Sequence, residues 1–151
     1  MKSKFLLCLA TVFAATILSP ALSSAAESSL NWLTSSPAAL AKAKNENKKV
    51  LIDFTGSDWC GWCMKLDREV FSTPEFAAYA AKNLVLLQVD FPRTRHQSDD
   101  QKQANQKLAQ QYGIQGYPTI IVLNSGGNKV GELGYMPGGP QAFISALEKL
   151  K

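Results

Sequence analysis

Trp59-Cys60-Gly61-Trp62-Cys63 follows the apolar run Val50-Leu51-Ile52-Asp53-Phe54 and leads into Met64-Lys65-Leu66-Asp67-Arg68-Glu69-Val70-Phe71. The first run reads as a strand with both faces covered, and the last as a helix. Two cysteines three residues apart at such a junction fit a redox pair, because a helical turn brings their sulfurs together. One break in the pattern stands out. Asp53 puts a carboxylate into a strand that is otherwise apolar, which is costly unless the group is paired, hydrated or functional.

The chain of 151 residues is long enough for one domain with one core. Apolar residues make up 46% and charged residues 19%, a balance that argues for a globular protein and against disorder. The net charge of +4 falls to +2 once Lys2 and Lys4 are set aside, and the basic residues are scattered. That excludes a nucleic-acid surface as the leading reading.

Lys2 and Lys4 belong to a leader. They precede an apolar run from Phe5 to Leu18, too short to span a bilayer, which ends at Ser19-Pro20; Ser24-Ala25-Ala26 offers small residues for cleavage. The sequence therefore divides into a signal peptide at 1–26, a polar lead at 27–36 and a domain at 37–151. Cys8 leaves with the leader as a small hydrophobe, so the exported chain keeps only Cys60 and Cys63. An export compartment permits disulfides. A purely structural bridge would constrain so short a loop little. Zinc wants four ligands, and only His96, in a polar loop, joins the two cysteines. Redox chemistry is the reading that remains, and it implies no cofactor.

Working outward, Ser36 caps and Pro37 opens a helix that runs through Ala38 to Asn47. Trp32, in the lead before it, is expected to cover an edge of the core. Ser72-Thr73-Pro74-Glu75 caps a helix to Lys82, and Val85 to Asp90 forms a second buried strand. A polar loop, Phe91 to Asp100, leads to a helix from Gln101 to Tyr112. Gly116-Tyr117-Pro118-Thr119 precedes the strand Ile120–Leu123. Asn124 to Asn128 is a glycine-bearing hairpin turn, and Lys129 to Tyr135 is the returning strand. The loop Met136–Pro140 and an amphipathic helix from Gln141 to Lys151 close the chain. The crossover through a helix makes the first two strands parallel, and the hairpin makes the last two antiparallel. The expected fold is α/β, a central mixed sheet flanked by helices on both faces.

With these elements in place the chain resembles the thioredoxin superfamily over Pro37 to Lys151. The resemblance rests on the apolar strand with its acid, on Cys60-Gly61-Trp62-Cys63, on Gly116-Tyr117-Pro118-Thr119, and on Gly126-Gly127 followed by Gly134 in the closing hairpin. Phe54 to Cys60 and Val89-Asp90-Phe91-Pro92 look more narrowly like small exported bacterial members. Some features depart from thioredoxin. The dipeptide between the cysteines is Gly-Trp, the interval from Asp53 to Cys60 is one residue longer, Leu86 stands where the acid's lysine partner is expected, and the 91–100 loop is extended.

The resemblance implies roles. Cys60, at a helix start where backbone N–H groups favour a thiolate, is the attacking cysteine, and Cys63 resolves the mixed disulfide. Asp53 is the proton acceptor for Cys63, or alternatively an acid held by loop backbone. Pro118 is expected to be cis and, with Tyr117, Trp59, Gly61 and Trp62, to line the substrate site, although Trp59 alternatively packs on the fold. The implied function is an exported, periplasmic thiol–disulfide oxidoreductase that reduces or isomerises disulfides in cysteine-containing exported proteins. A membrane-bound thiol–disulfide donor would re-reduce it. A disulfide-donating oxidase and a non-catalytic metal-carrying or chaperone-like module on the same fold stay open. With no dimerisation segment evident, a monomer is favoured.

Overall fold

A computed structural model describes residues 30–151. The leader at 1–26, its cleavage point and Cys8 lie outside the described residues. Five strands form one sheet in the order β1-β3-β2-β4-β5. Strand β2 (Lys49–Thr55) runs parallel to β3 (Leu84–Asp90) and antiparallel to β4 (Thr119–Leu123), which pairs antiparallel with β5 (Lys129–Leu133). This is the mixed sheet that the connections imply. The lead contributes a strand of its own, β1 (Trp32–Leu33), parallel to β3 at the sheet edge. Two residues are too short a run to carry a periodic signal, so the sequence marks Trp32 only as an edge cover. It does cover one: its ring meets Phe71 edge-on at 5.3 Å.

Alternation along the strands builds two cores. Val50, Ile52 and Phe54 of β2 point with Val85, Leu87, Val89, Ile121 and Leu123 toward α1 (Ser36–Glu46) and α4 (Asp99–Tyr112). Leu51 points the other way, with Leu84, Leu86, Ile120 and Val122. That face is covered by α2 (Gly61–Leu66), α3 (Pro74–Asn83) and α5 (Gly139–Lys149). Phe71, Phe76 and Phe143 are buried there with centroids 5.0–6.0 Å apart. Each buried phenylalanine contributes about 2 kcal/mol. This cluster anchors α3, α5 and the end of the cysteine helix to the sheet.

Several boundaries differ from the sequence expectation, each for a local reason. Ser35, not Ser36, caps α1, its hydroxyl accepting from Ala38 N–H at 3.5 Å, while Ser36 is already helical. The cysteine helix starts at Gly61 and does not continue as α-helix to Phe71. Residues Asp67–Phe71 form a π-helical turn in which Ser72 N–H reaches back to the Asp67 carbonyl at 2.7 Å. The long polar loop ends at Ser98, which caps α4. The last strand stops at Leu133, and α5 begins at Gly139 because Gly138 and Gly139 take positive φ there.

Candidate active site

The cysteines sit where β2 hands over to α2. Gly56 is the pivot, its carbonyl accepting N–H bonds from Trp59 at 3.1 Å and Cys60 at 2.8 Å. The turn is held from the side by Asp90 at the end of β3. Its carboxylate accepts Ser57 N–H at 2.9 Å, Ser57 Oγ–H at 2.7 Å and an Arg95 guanidinium N–H at 2.8 Å. Asp58 reaches the other way and gathers the 91–95 loop. It accepts Thr94 Oγ–H at 2.6 Å, Thr94 N–H at 2.8 Å and Arg93 N–H at 3.0 Å, with Arg95 N–H at 3.3 Å. The Thr94 hydroxyl and these backbone donors hold its carboxyl well below the usual carboxylate range.

Trp59 is locked into this frame. Its indole N–H donates to the Phe91 carbonyl at 2.8 Å, and the Arg93 guanidinium lies 3.9 Å above its ring. Its ring packs so closely over Gly56 that an added methyl there would overlap it. The geometry thus corresponds to the reading in which Trp59 packs on the fold. Trp62 differs. It is 58% exposed, leans on Tyr135 at 5.0 Å, and carries Lys65 Nζ 5.2 Å from its ring centroid. Tyr135 donates its O–H to Glu69 at 2.9 Å, so the platform beneath Trp62 is itself fixed. Gly61 is exposed, with open space where a side chain would project.

Cys60 occupies the N-cap of α2 and is joined to Cys63 by a disulfide with the Cα atoms 5.2 Å apart. Its Sγ accepts the Cys63 N–H at 3.2 Å. The helix start therefore presents a donor to the sulfur that would carry negative charge when reduced. Both residues are buried to nearly the same degree, at 6% and 5% exposure, so in this disulfide form burial does not distinguish the attacking from the resolving cysteine. Their places at and inside the helix start do. The Tyr117–Pro118 peptide is cis, the conformation expected of it. Tyr117 stands edge-on to Trp59 at 5.8 Å and tilts against Phe91 at 5.3 Å, which ties the proline segment to the same aromatic cluster.

Asp53 lies behind the pair. It points to the same side of the sheet as Leu51, and its neighbour across the parallel ladder is Gln88. Leu86, the position expected to face the acid, instead pairs with Leu51. No cation has replaced the missing lysine there; the facing residue is a neutral amide. Asp53 is 5% exposed and its Oδ1 has no hydrogen-bond partner among the described residues, so the described loop backbone does not hold that oxygen. Burial, with the charges of Asp67 and Asp90 adding to it, pushes its carboxyl up to about 7. A cavity of about 270 Å³ opens beside it, lined among others by Cys63, Asp67, Gln88 and Arg95. The acid and the second cysteine thus face one shared space.

The structure brings together Cys60, Cys63, Trp59, Gly61, Trp62, Tyr117 and Pro118 at the surface end of the strands, with Asp53 beneath. Sequence reading missed Asp58, Asp90, Arg93, Gln88, Asp67 and Tyr135. Asp58 and Asp90 fall within segments that carried the family resemblance, but nothing in their spacing shows that both carboxylates converge on the 56–60 turn.

The family model for the thioredoxin-like domain matches residues 36–151, and the chain belongs to that family. Among its relatives is the disulfide bond reductase DsbH of Chlamydia pneumoniae, 36% identical over 123 residues, covering 82% of this chain and 74% of that protein. The thioredoxin-related protein DsbJ of the same organism is 33% identical over 96 residues, but these span only 28% of its length. A solved structure of a DsbH oxidoreductase superposes with a TM-score of 0.74 at 35% identity, over 79% of this chain and 82% of that one. The chain is accordingly a thiol–disulfide oxidoreductase homologue with a redox-type cysteine pair, on the fold and motif that its sequence implied.

Proposed function

We propose that the protein reduces or isomerises disulfides in exported proteins through a Cys60–Cys63 dithiol cycle. The observation that carries this is the N-cap position of Cys60, whose sulfur receives the Cys63 N–H while Cys63 and Asp53 share a cavity. In the reduced protein the Cys60 thiolate attacks one sulfur of a substrate disulfide. A mixed disulfide forms, the substrate bond breaks, and the released substrate thiolate takes a proton from solvent. The Cys63 thiol gives its proton to Asp53, through the cavity, and the new thiolate attacks Cys60 Sγ. The mixed bond breaks, the second substrate thiolate leaves, and the Cys60–Cys63 disulfide closes. Two electrons have passed to the substrate, and an external dithiol must return them. A carboxyl titrating near 7 is matched to that proton transfer.

The reductive direction is supported by similarity to a disulfide bond reductase, 36% identical, and the need for a donor by the two electrons that each cycle gives up. Export to the periplasm, with cleavage near Ala26, is supported by the charged, apolar and small-residue order of the leader. Trp62, with Gly61 leaving open space beside it, and the Tyr117–Pro118 segment form the contact surface for an extended substrate.

Insulin reduction by the protein in dithiothreitol tests the reading. Turnover should vanish in Cys60→Ser, and Cys63→Ser should accumulate a covalent adduct with an oxidised substrate through Cys60. No adduct would overturn the assignment of the two cysteines. A glutathione equilibrium of the pair should give a potential near the thioredoxin value, about −270 mV; one near −120 mV would favour a disulfide donor instead.

A further inference from the structure

The cavity behind the cysteines has two acidic residues in its lining, and the mechanism above uses only one. Asp53 stands on β2, its Oδ1 without a hydrogen-bond partner among the described residues. Asp67 lines the same cavity, one helical turn beyond Cys63 at the start of the π-helical turn. The other groups around the space do not neutralise this pair. Gln88, across the ladder from Asp53, is uncharged. Arg95 is the cation in the lining, and its guanidinium is engaged by Asp90 and by Ser57 Oγ. Asp90 adds a further carboxylate at the end of β3. Asp67 itself is exposed, and Ser72 Oγ–H donates to it at 3.2 Å.

We propose that Asp67 is a positioning residue for the reaction: lining the same cavity as Asp53 and Cys63, its carboxylate tunes Asp53 as the proton acceptor for Cys63. A like charge near a buried carboxyl raises the cost of ionising it. Burial and the neighbouring carboxylates of Asp67 and Asp90 favour the protonated form of Asp53. Burial alone raises Asp53; Asp67 extends that effect and ties it to the cysteine helix. The inference rests on Asp53 as the proton acceptor.

The test titrates the Asp53 carboxyl by carbon NMR in the disulfide form, where no thiol interferes. The native midpoint is expected at about 7. Asp67→Asn should lower it by at least about 0.3 pH unit, a twofold change in the ratio of ionised to protonated carboxyl. Asp67→Glu should restore it. Asp99→Asn, which removes an exposed carboxylate on α4, should leave it unmoved. Single-turnover reduction of a peptide disulfide then follows the resolving step between pH 5 and 9. Because that step needs the Asp53 carboxylate, its rate rises with pH through the Asp53 midpoint, and Asp67→Asn should move the rise to lower pH by the same amount. A midpoint in Asp67→Asn equal to the native one overturns the proposal, as does a midpoint that moves while the rate profile stays in place. Insulin turnover dependent on Cys60 separates the two levels. If it is absent, the oxidoreductase reading fails; if it is present with Asp53 unmoved, only the role of Asp67 fails.

Discussion

The two tryptophans flanking the first cysteine occupy opposite physical situations. On the upstream side Trp59 is held by an indole hydrogen bond, a stacked guanidinium, an edge-on tyrosine and a glycine with no room to spare. On the downstream side Trp62 lies open to solvent on a tyrosine that is itself braced by Glu69. The difference divides labour across a few residues. The upstream half fixes where the sulfurs are, and the downstream half is free to meet another chain. A redox site needs both, since exchange demands a sulfur held in line and a surface tolerant of many partners.

Substitutions at the two positions test this division most sharply. Trp59→Ala should lower unfolding free energy by about 3 kcal/mol, because it removes a packed ring and leaves the Phe91 carbonyl and Tyr117 without their partner. Trp62→Ala should change it by no more than about 0.5 kcal/mol. Urea denaturation of the two variants decides, and a larger loss at Trp62 would break the comparison outright. The neighbouring glycines give the next test. Gly56→Ala should cost about 1–3 kcal/mol by driving a methyl into the Trp59 indole, whereas Gly61→Ala, facing open space, should be close to neutral. The Gly56→Ala loss should shrink in a Trp59→Phe background, and strict additivity would show that the clash is elsewhere.

Function should divide the opposite way. Trp62→Ala should reduce kcat/KM for insulin about tenfold, near 1.4 kcal/mol of lost contact, and leave the rate with a small disulfide such as hydroxyethyl disulfide unchanged. Equal losses on both substrates would move Trp62 from the binding surface into the chemistry. The smallest effect concerns the loop beside Trp59. Asp58 has a folded-state carboxyl value lowered by the Thr94 hydroxyl and the 93–95 N–H groups. Its contribution is therefore complete above the ordinary carboxylate value near 4 and is lost as pH falls toward the lowered one. Hydrogen exchange should show the Thr94 and Arg95 amides protected at pH 6 and less so in Asp58→Ala. Unchanged protection would mean that the loop orders itself without Asp58.

The fold and the cysteine pair were readable from local patterns: near-continuous apolar strands, helix caps, a glycine hairpin, and two cysteines at a junction. The division between the tryptophans was not. In the sequence each tryptophan simply precedes a cysteine. What separates them is Arg93, Phe91 and Tyr117 on one side and Tyr135 on the other, all brought in from more than thirty residues away. Asp53 could be picked out as an anomaly within its strand. Its neighbour could not, because a parallel register offset decides between Leu86 and Gln88, and nothing local sets that offset. The extension of the 91–100 loop was visible as length, whereas its conformation depends on two carboxylates that act at a distance.

The sheet's outer strands carry one more consequence. Clients of the proposed kind present extended backbone, the very shape that adds itself to an unprotected sheet edge. Here β3 is partly sheltered by the two residues of β1, and the opposite margin, β5, is a five-residue strand carrying Gly131 and the Lys129–Glu132 ion pair at 2.7 Å. Short, charged margins discourage strand capture and the aggregation that follows it. On the proposed function, such margins leave the cysteine end as the place for an extended client to dock.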